Sequence, residues 1–339
     1  MKRAIALLMV VTMMVTLFAG CGSDAQNQTA PDTKSAVSST SVEPAAKELN
    51  IAVLLYSRGF EFMVALGQGI EDEAKAQGIK VNILDANGNS QTQLTQIEDS
   101  ISKKVDAIIL SPNNSDELVP GVKKANEAGI PVITVDSLVS AGADVAVAVH
   151  FDNEAGGAMA AKYLQDTYKS GKVLENQGAQ GAYHATMRGN GFINQIGQDS
   201  NFEVIRKDCQ WSAETAQTVT ADIVTANSDL KAIMSHNGEM ARGIIAGLKQ
   251  LGKLKKVGEE GHIGVVAVDG TPIELQQIRD GEQDASINQD PLVMGATALK
   301  AAADYLNGKT VEKDISTPPS LITKDNVDDS NLWGNKFAK

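Results

Sequence analysis

The chain has 339 residues, 42% of them hydrophobic, and its Asp+Glu total of 42 against 30 Lys+Arg gives a formal net charge of −12. So acidic a balance excludes nucleic acid and anionic membrane surfaces as direct partners and leaves the class of small ligand open. Two cysteines and four histidines offer little material for a disulfide framework or a metal cluster.

Lys2 and Arg3 open the chain, and an apolar run from Ala4 to Phe18 follows. The run is short for a membrane span and passes quickly into polar sequence, so residues 1–20 read as a secretion signal. It ends in Leu17-Phe18-Ala19-Gly20-Cys21, which resembles the lipobox of bacterial lipoproteins. That resemblance implies cleavage before Cys21 and lipidation of its side chain, which would hold the protein to the outer face of a membrane without spanning it. The plainer alternative is an ordinary secretory signal with an incidental cysteine. From Cys21 to residue 47 the chain is rich in Ser, Thr, Ala, Gln and Asp, with Pro31 and Pro44, and reads as a disordered tether. With Cys21 lipidated, Cys209 has no disulfide partner and is expected to be a small buried apolar residue. About 290 residues then remain, large for one core and suited to two lobes.

From Leu49 onward, apolar runs alternate with segments of helical period. Ile51-Ala-Val-Leu-Leu-Tyr56 reads as a buried strand, and Phe62 to Gln77 as a helix stopped by Gly78. Val81 to Leu84 is a strand; Ser90 is expected to cap a helix carrying Leu94, Ile97 and Ile101. Ala107 to Leu110 and Pro131 to Asp136 are strands flanking a helix from Asp116 to Ala128. The same grammar predicts helices over 153–169, 185–198, 213–226, 239–250, 272–280 and 292–306. Strands over 172–176, 202–206, 231–234, 263–268 and 284–288 separate them. Continuous apolar strands between helices indicate parallel sheets covered on both faces.

Two pairs of segments look like internal counterparts. Asp106-Ala-Ile-Ile-Leu-Ser-Pro-Asn-Asn-Ser115 parallels Lys231-Ala-Ile-Met-Ser-His-Asn237, and Pro131-Val-Ile-Thr-Val-Asp136 parallels Gly264-Val-Val-Ala-Val-Asp269. The expected fold is therefore α/β, with two Rossmann-like parallel-sheet lobes whose strand carboxyl ends face a shared cleft. Asp136 and Asp269 would accept hydroxyl hydrogen bonds there, Asn237 and Gln289 would both donate and accept, and Arg188 would offer a planar fork of donors. Phe60, Phe62 and Trp211 are aromatics in or near loops, suited to the C–H faces of a polyhydroxylated ring. Each has a plainer role open to it: Asp269, before Gly270-Thr271-Pro272, equally suits a helix cap, and Arg188 an exposed helix face.

From Ile51 to about Ile322 the chain resembles the type I periplasmic binding proteins of the ribose/galactose group, which serve ABC importers. The resemblance rests on Pro131-Val-Ile-Thr-Val-Asp136, Asp152-Asn153-Glu154-Ala-Gly156-Gly157, Arg188-Gly-Asn-Gly-Phe192, His236-Asn237-Gly-Glu239-Met240-Ala241, Val266-Ala-Val-Asp269-Gly270-Thr271-Pro272 and Ile287-Asn-Gln289-Asp-Pro291. It implies a monomeric, non-enzymatic protein that carries a sugar or polyol to permease subunits, with neither cofactor nor metal. It also implies that Asp136, Arg188, Asn237, Asp269 and Gln289 hydrogen-bond the ligand while Phe62 and Trp211 stack on it. Three crossings between lobes are implied, giving one lobe from 48–151 plus 290–319 and another from 152–289 plus 320–339. The chain departs from the ribose-type pattern at Ser137, where Arg is usual, and at Arg58-Gly-Phe60-Glu61-Phe62, where Asn precedes Pro-Phe-Phe. The departures put the sugar's identity, and the parts played by Ser137, Arg58 and Glu61, in question.

Other classes fare less well. The first strand is not followed by G-x-G-x-x-G, and there is no Walker loop, G-x-S-x-G or H-E-x-x-H. Asp136 and Asp269 could form a glycosidase pair, but binding alone accounts for the same residues. Presentation of a bound sugar to a chemoreceptor or sensor kinase would use the same fold. A LacI-like repressor would need a DNA-binding headpiece where the lipobox stands.

Overall fold

A computed structural model describes residues 48–199 and 201–337; the signal and tether expectations, Cys21 included, lie outside the described residues. The first sheet forms from strands β1 (Asn50–Leu55), β2 (Lys80–Asp85), β3 (Ala107–Leu110), β4 (Val132–Asp136) and β5 (Val147–Phe151). Helices α1 (Glu61–Gln77), α2 (Ser90–Ser102) and α3 (Val119–Glu127) connect its first four strands. The second half repeats the pattern with α4 (Asn153–Tyr168), β6 (Gly171–Gln177), α5 (Tyr183–Ile196), β7 (Phe202–Asp208), α6 (Ala213–Ala226) and β8 (Leu230–Ser235). It continues through α7 (Gly238–Gln250), β9 (Gly264–Asp269), α8 (Pro272–Asp280) and β10 (Ala285–Asn288). Helix α9 (Pro291–Leu306), strands β11 (Asp314–Thr317) and β12 (Ser320–Ile322) and the short helix α10 (Trp333–Phe337) complete it.

The strands pair in the orders β11-β5-β4-β3-β1-β2 and β12-β10-β9-β8-β6-β7. Both sheets are parallel except where β12 runs antiparallel to β10. The interior strands β3 and β4 are buried along their whole length, as helices on both faces demand. The orders correspond position by position. β3 and β8 occupy one matching place and β4 and β9 the next, so Asp136 and Asp269 are the last residues of equivalent strands.

Three local expectations need correction. Asn89, rather than Ser90, caps α2: its Oδ1 accepts the Thr92 N–H at 2.9 Å, while the Ser90 hydroxyl accepts from Asn113 Nδ2 at 3.0 Å. Helix α3 begins at Val119 instead of Asp116, because Asn114 Oδ1 takes the N–H groups of Asp116 and Glu117 and holds them in a turn. Asp269 is not the cap of α8; Thr271 is, in a reciprocal capping box with Glu274.

The chain passes between the sheets three times. β5 of the first sheet leads into α4, which packs on α5; β10 of the second leads into α9, which packs on α1; and β11, paired with β5, is followed within three residues by β12 on β10. We call the elements around the first sheet the first lobe and those around the second sheet the second lobe. Contacts between lobes include the Ser115 N–H to the Gly181 carbonyl at 3.0 Å and the Tyr183 N–H to Ser115 Oγ at 3.1 Å.

Candidate functional site

Between the lobes lies a cavity of about 500 Å³, its open mouth included, lined by side chains from the carboxyl ends of both sheets. Its polar lining comprises Asp136 at the end of β4, Asp269 at the end of β9, Asn237 after β8, Gln289 after β10 and Arg188 on α5. Phe60, Phe62 and Trp211 supply apolar faces. Eight of the nine ligand-site residues expected from sequence therefore border one space. Ser137 does not: it is fully buried behind the cavity, with its N–H bonded to the Val135 carbonyl and its hydroxyl unpaired.

Arg188 reaches the cavity because helices α4 and α5 touch. A Cβ on Gly157 would stand 1.9 Å from the Arg188 carbonyl oxygen, and one on Gly191 1.9 Å from that of Glu154, so only glycine permits this crossing. The close approach buries Arg188, whose Nη2 donates to Asn153 Oδ1 at 2.6 Å and to Gln289 Oε1 at 2.9 Å, while Nη1 donates to the His236 carbonyl. Gln289 in turn donates from Nε2 to Asp136 Oδ1 at 3.1 Å. A guanidinium, an amide and a carboxylate thus run from one lobe into the other.

The two aspartates are nearly inaccessible, at 3% exposure for Asp136 and 6% for Asp269. Burial pushes the Asp136 carboxyl up to about 6, against the opposing pull of Arg188 and of hydrogen bonds from Gln289 and Ser111. Asp269 is pushed well above the usual carboxylate range, by burial first and then by the neighbouring Glu274; Arg188 and the Gly238 N–H act against this. Both residues, and Trp211 with them, hold positive φ: 67° for Asp136, 132° for Asp269 and 61° for Trp211. Such backbone persists only where its surroundings over-determine it, and it gathers at functional sites.

Tyr56, Glu61, His184, Glu239, Thr271 and Ile273 also line the cavity. His184 stacks on Trp211 with centroids 4.6 Å apart and planes at 11°, and Tyr56 stands 6.5 Å from His184 and 5.8 Å from Phe60. Burial, and then the charge of Arg188, holds His184 well below its ordinary pKa, so this aromatic wall is neutral at physiological pH. Tyr56 was readable: the first residue past β1, it stands in register with Asp136, the last residue of β4, and the strand-end argument applies to both. His184 was not, since its stacking on Trp211 joins segments distant in sequence. Among the described residues, no group of three or more His, Cys, Asp or Glu is placed to hold a metal ion.

The cavity thus combines buried polar groups with aromatic side chains and lies between two similar lobes. A family model described as a periplasmic binding protein domain matches residues 51–310. The chain belongs to the periplasmic binding protein family. Among its relatives, the ribose import binding protein of Bacillus subtilis (strain 168) is 35% identical over 280 residues, which is 82% of this chain and 88% of that one. Among solved structures, an ABC transporter solute binding protein from Agrobacterium vitis with bound D-fucose superposes with a TM-score of 0.78 at 30% identity, covering 84% of this chain and 99% of that one. The Caulobacter myo-inositol binding protein bound to myo-inositol gives 0.79 at 26% identity, over 86% and 99%. The periplasmic binding protein fold, two α/β lobes of mainly parallel sheet, is the one these proteins share.

Proposed function

We propose that this periplasmic binding protein captures a sugar or polyol in the interlobe cavity and delivers it to an ABC importer, without chemistry on the ligand. The observation that carries the reading is the meeting of Asp136 and Asp269, the ends of equivalent strands, around one cavity with Arg188 and Gln289 between them. Hydroxyls can donate to the carboxylates and accept from the guanidinium and amides. The neutral wall of Tyr56, Phe60, His184 and Trp211 suits the C–H face of the same molecule. A missing hydroxyl would leave one of these buried groups unpaired, which is how such a site discriminates. Relatives described as binding ribose, D-fucose and myo-inositol support the ligand class.

In this reading the segments near 151–152, 289–290 and 318–321 are hinges that absorb the dihedral change of closing, and contacts from both lobes draw the population toward the closed state. Cys21 is the anchoring point, and Cys21→Ala would move the protein from the membrane fraction to the soluble one. The functional test is a thermal-shift screen of the full-length chain in detergent against D-ribose, D-allose, D-fructose, xylitol, D-fucose and myo-inositol. One of these at a hundredfold excess over its Kd raises Tm by roughly 5–10 °C. No shift with any of them, nor with other pentoses, hexoses or polyols, would end the reading.

A further inference from the structure

The chain continues past β12, the last strand of the second sheet, into a segment that packs on α8. Arg279 of α8 ties down this segment, donating to Asp328 Oδ1 at 2.7 Å, to Asn335 Oδ1 at 2.6 Å and to the Val327 carbonyl at 3.1 Å. Leu275, Ile278, Ile322, Val327 and Leu332 form a small apolar cluster under it. The segment ends in α10, whose first residue, Trp333, is fully buried although it is not among the residues lining the cavity.

The Trp333 indole touches two residues that are. Its Nε1–H donates to the Asp269 carbonyl at 2.7 Å, and its ring meets Phe62 of the other lobe edge-on, with centroids 6.2 Å apart and planes at 87°. The Asp269 carbonyl also accepts the Gln289 N–H at 3.2 Å. Two donors therefore pin the peptide that follows the positive φ of Asp269, while its carboxylate accepts the Gly238 N–H at 3.1 Å. The next residue, Gly334, lies so close to this turn that a Cβ there would stand 2.5 Å from the Gly270 carbonyl oxygen. The C-terminal segment is fitted to this turn by a glycine, a hydrogen bond and a ring.

We propose that Trp333 is a positioning residue of the ligand site, fixing the backbone of Asp269 in one lobe and the ring of Phe62 in the other, and so prolonging the closed, ligand-bound state. The role rests on the proposed function, since Asp269 and Phe62 are taken there as ligand contacts. Because the indole joins the lobes from behind the cavity, its removal acts on escape of the ligand more than on its entry.

Stopped-flow binding by the full-length chain in detergent, with whichever of D-ribose, D-allose, D-fructose, xylitol, D-fucose or myo-inositol it binds best, tests this. Trp333→Phe keeps a ring against Phe62 and loses the N–H; Trp333→Leu loses both. The expected result is a dissociation rate about tenfold faster for the first variant and faster still for the second, with association changed less than about threefold. Amide exchange supplies a readout that needs no ligand: the Gly238 N–H, which reports where the Asp269 carboxylate sits, exchanges faster in Trp333→Phe at unchanged far-ultraviolet circular dichroism. If wild type binds none of these compounds, nor any other pentose, hexose or polyol, the functional reading is what fails, and the exchange result alone decides the role of Trp333. Unchanged dissociation in both variants, or unchanged Gly238 exchange in Trp333→Phe, overturns it and leaves Trp333 as core packing.

Discussion

Gln289 donates from its side-chain nitrogen to Asp136 Oδ1 over 3.1 Å, so a residue just past β10 of the second sheet holds a carboxylate at the end of a first-sheet strand. Its oxygen accepts from Arg188 at 2.9 Å, which makes the amide the middle link between a buried cation and a buried anion. Gln289→Leu keeps most of the volume and removes both links. Leaving charged groups a partner short costs about 1–3 kcal/mol, so ligand affinity is expected to fall roughly 5- to 150-fold by calorimetry. An affinity within twofold of wild type would show that the amide contributes nothing to the bound state.

The Asp136 carboxyl, pushed up to about 6 by burial, gives a pH dependence whose sign can be worked out. Between the ordinary aspartate value of 3.8 and about 6 the folded state binds more protons than the unfolded one, so this group lowers stability as pH rises through that window. His184 and His236 act oppositely: burial lowers both, and the unfolded chain takes up their protons as pH falls below the ordinary histidine value. Asp136→Asn isolates the aspartate from that background. The variant is expected to melt above wild type at pH 7.5, with the advantage shrinking at pH 5. Ligand affinity should follow the reverse logic: in wild type it declines below about pH 6 as the acceptor is protonated, whereas in Asp136→Asn it is weak and loses this step. Parallel pH profiles for the two proteins would remove Asp136 from the site.

How far the fold could be read in advance depended on burial. Strands such as Ala107–Leu110, and Gly264–Asp269 up to its terminal aspartate, are covered on both faces and appear in the sequence as apolar runs. Strand β11 has only half-buried and exposed positions and carries no such run, so its pairing with β5 was not visible locally. The site divides along similar lines. Asp136 and Asp269 were legible because a repeated segment placed both at strand ends. The positive φ of those residues, the stacking of His184 on Trp211 and the reach of Trp333 to Asp269 depend on contacts between distant segments, which no local pattern encodes.

The crossing of α4 and α5 makes a sharper demand on side-chain size than on polarity. Gly157→Ala would set its methyl 1.9 Å from the Arg188 carbonyl oxygen, a backbone atom that cannot step aside without moving the helix. Overpacking of this kind typically costs about 1–3 kcal/mol, and here the helix that must shift also carries Arg188 into the cavity. The expected outcome is a Tm lower by roughly 2–12 °C together with weakened ligand binding. A stability loss with full affinity would mean that Arg188 keeps its bonds to Asn153 and Gln289 despite the displaced helix.

Cys209 offers a test of the second lobe that needs no ligand. The residue is fully buried at the end of β7, its N–H bonded to the Gln177 carbonyl at 2.9 Å. Burial, and then the nearby Asp208, pushes its thiol up to about 12, so almost none is thiolate at pH 8. With Cys21 replaced by Ala, Cys209 is the one remaining cysteine of the chain. A thiol reagent at pH 8 should therefore label the native protein only as fast as this lobe opens, and label it at once in denaturant. Adding a bound sugar should slow native labelling further, because Trp211, two residues on, lines the cavity. Rapid labelling of the folded protein, unchanged by ligand, would place Cys209 at an accessible surface and contradict the packing of β7 against the second-lobe core.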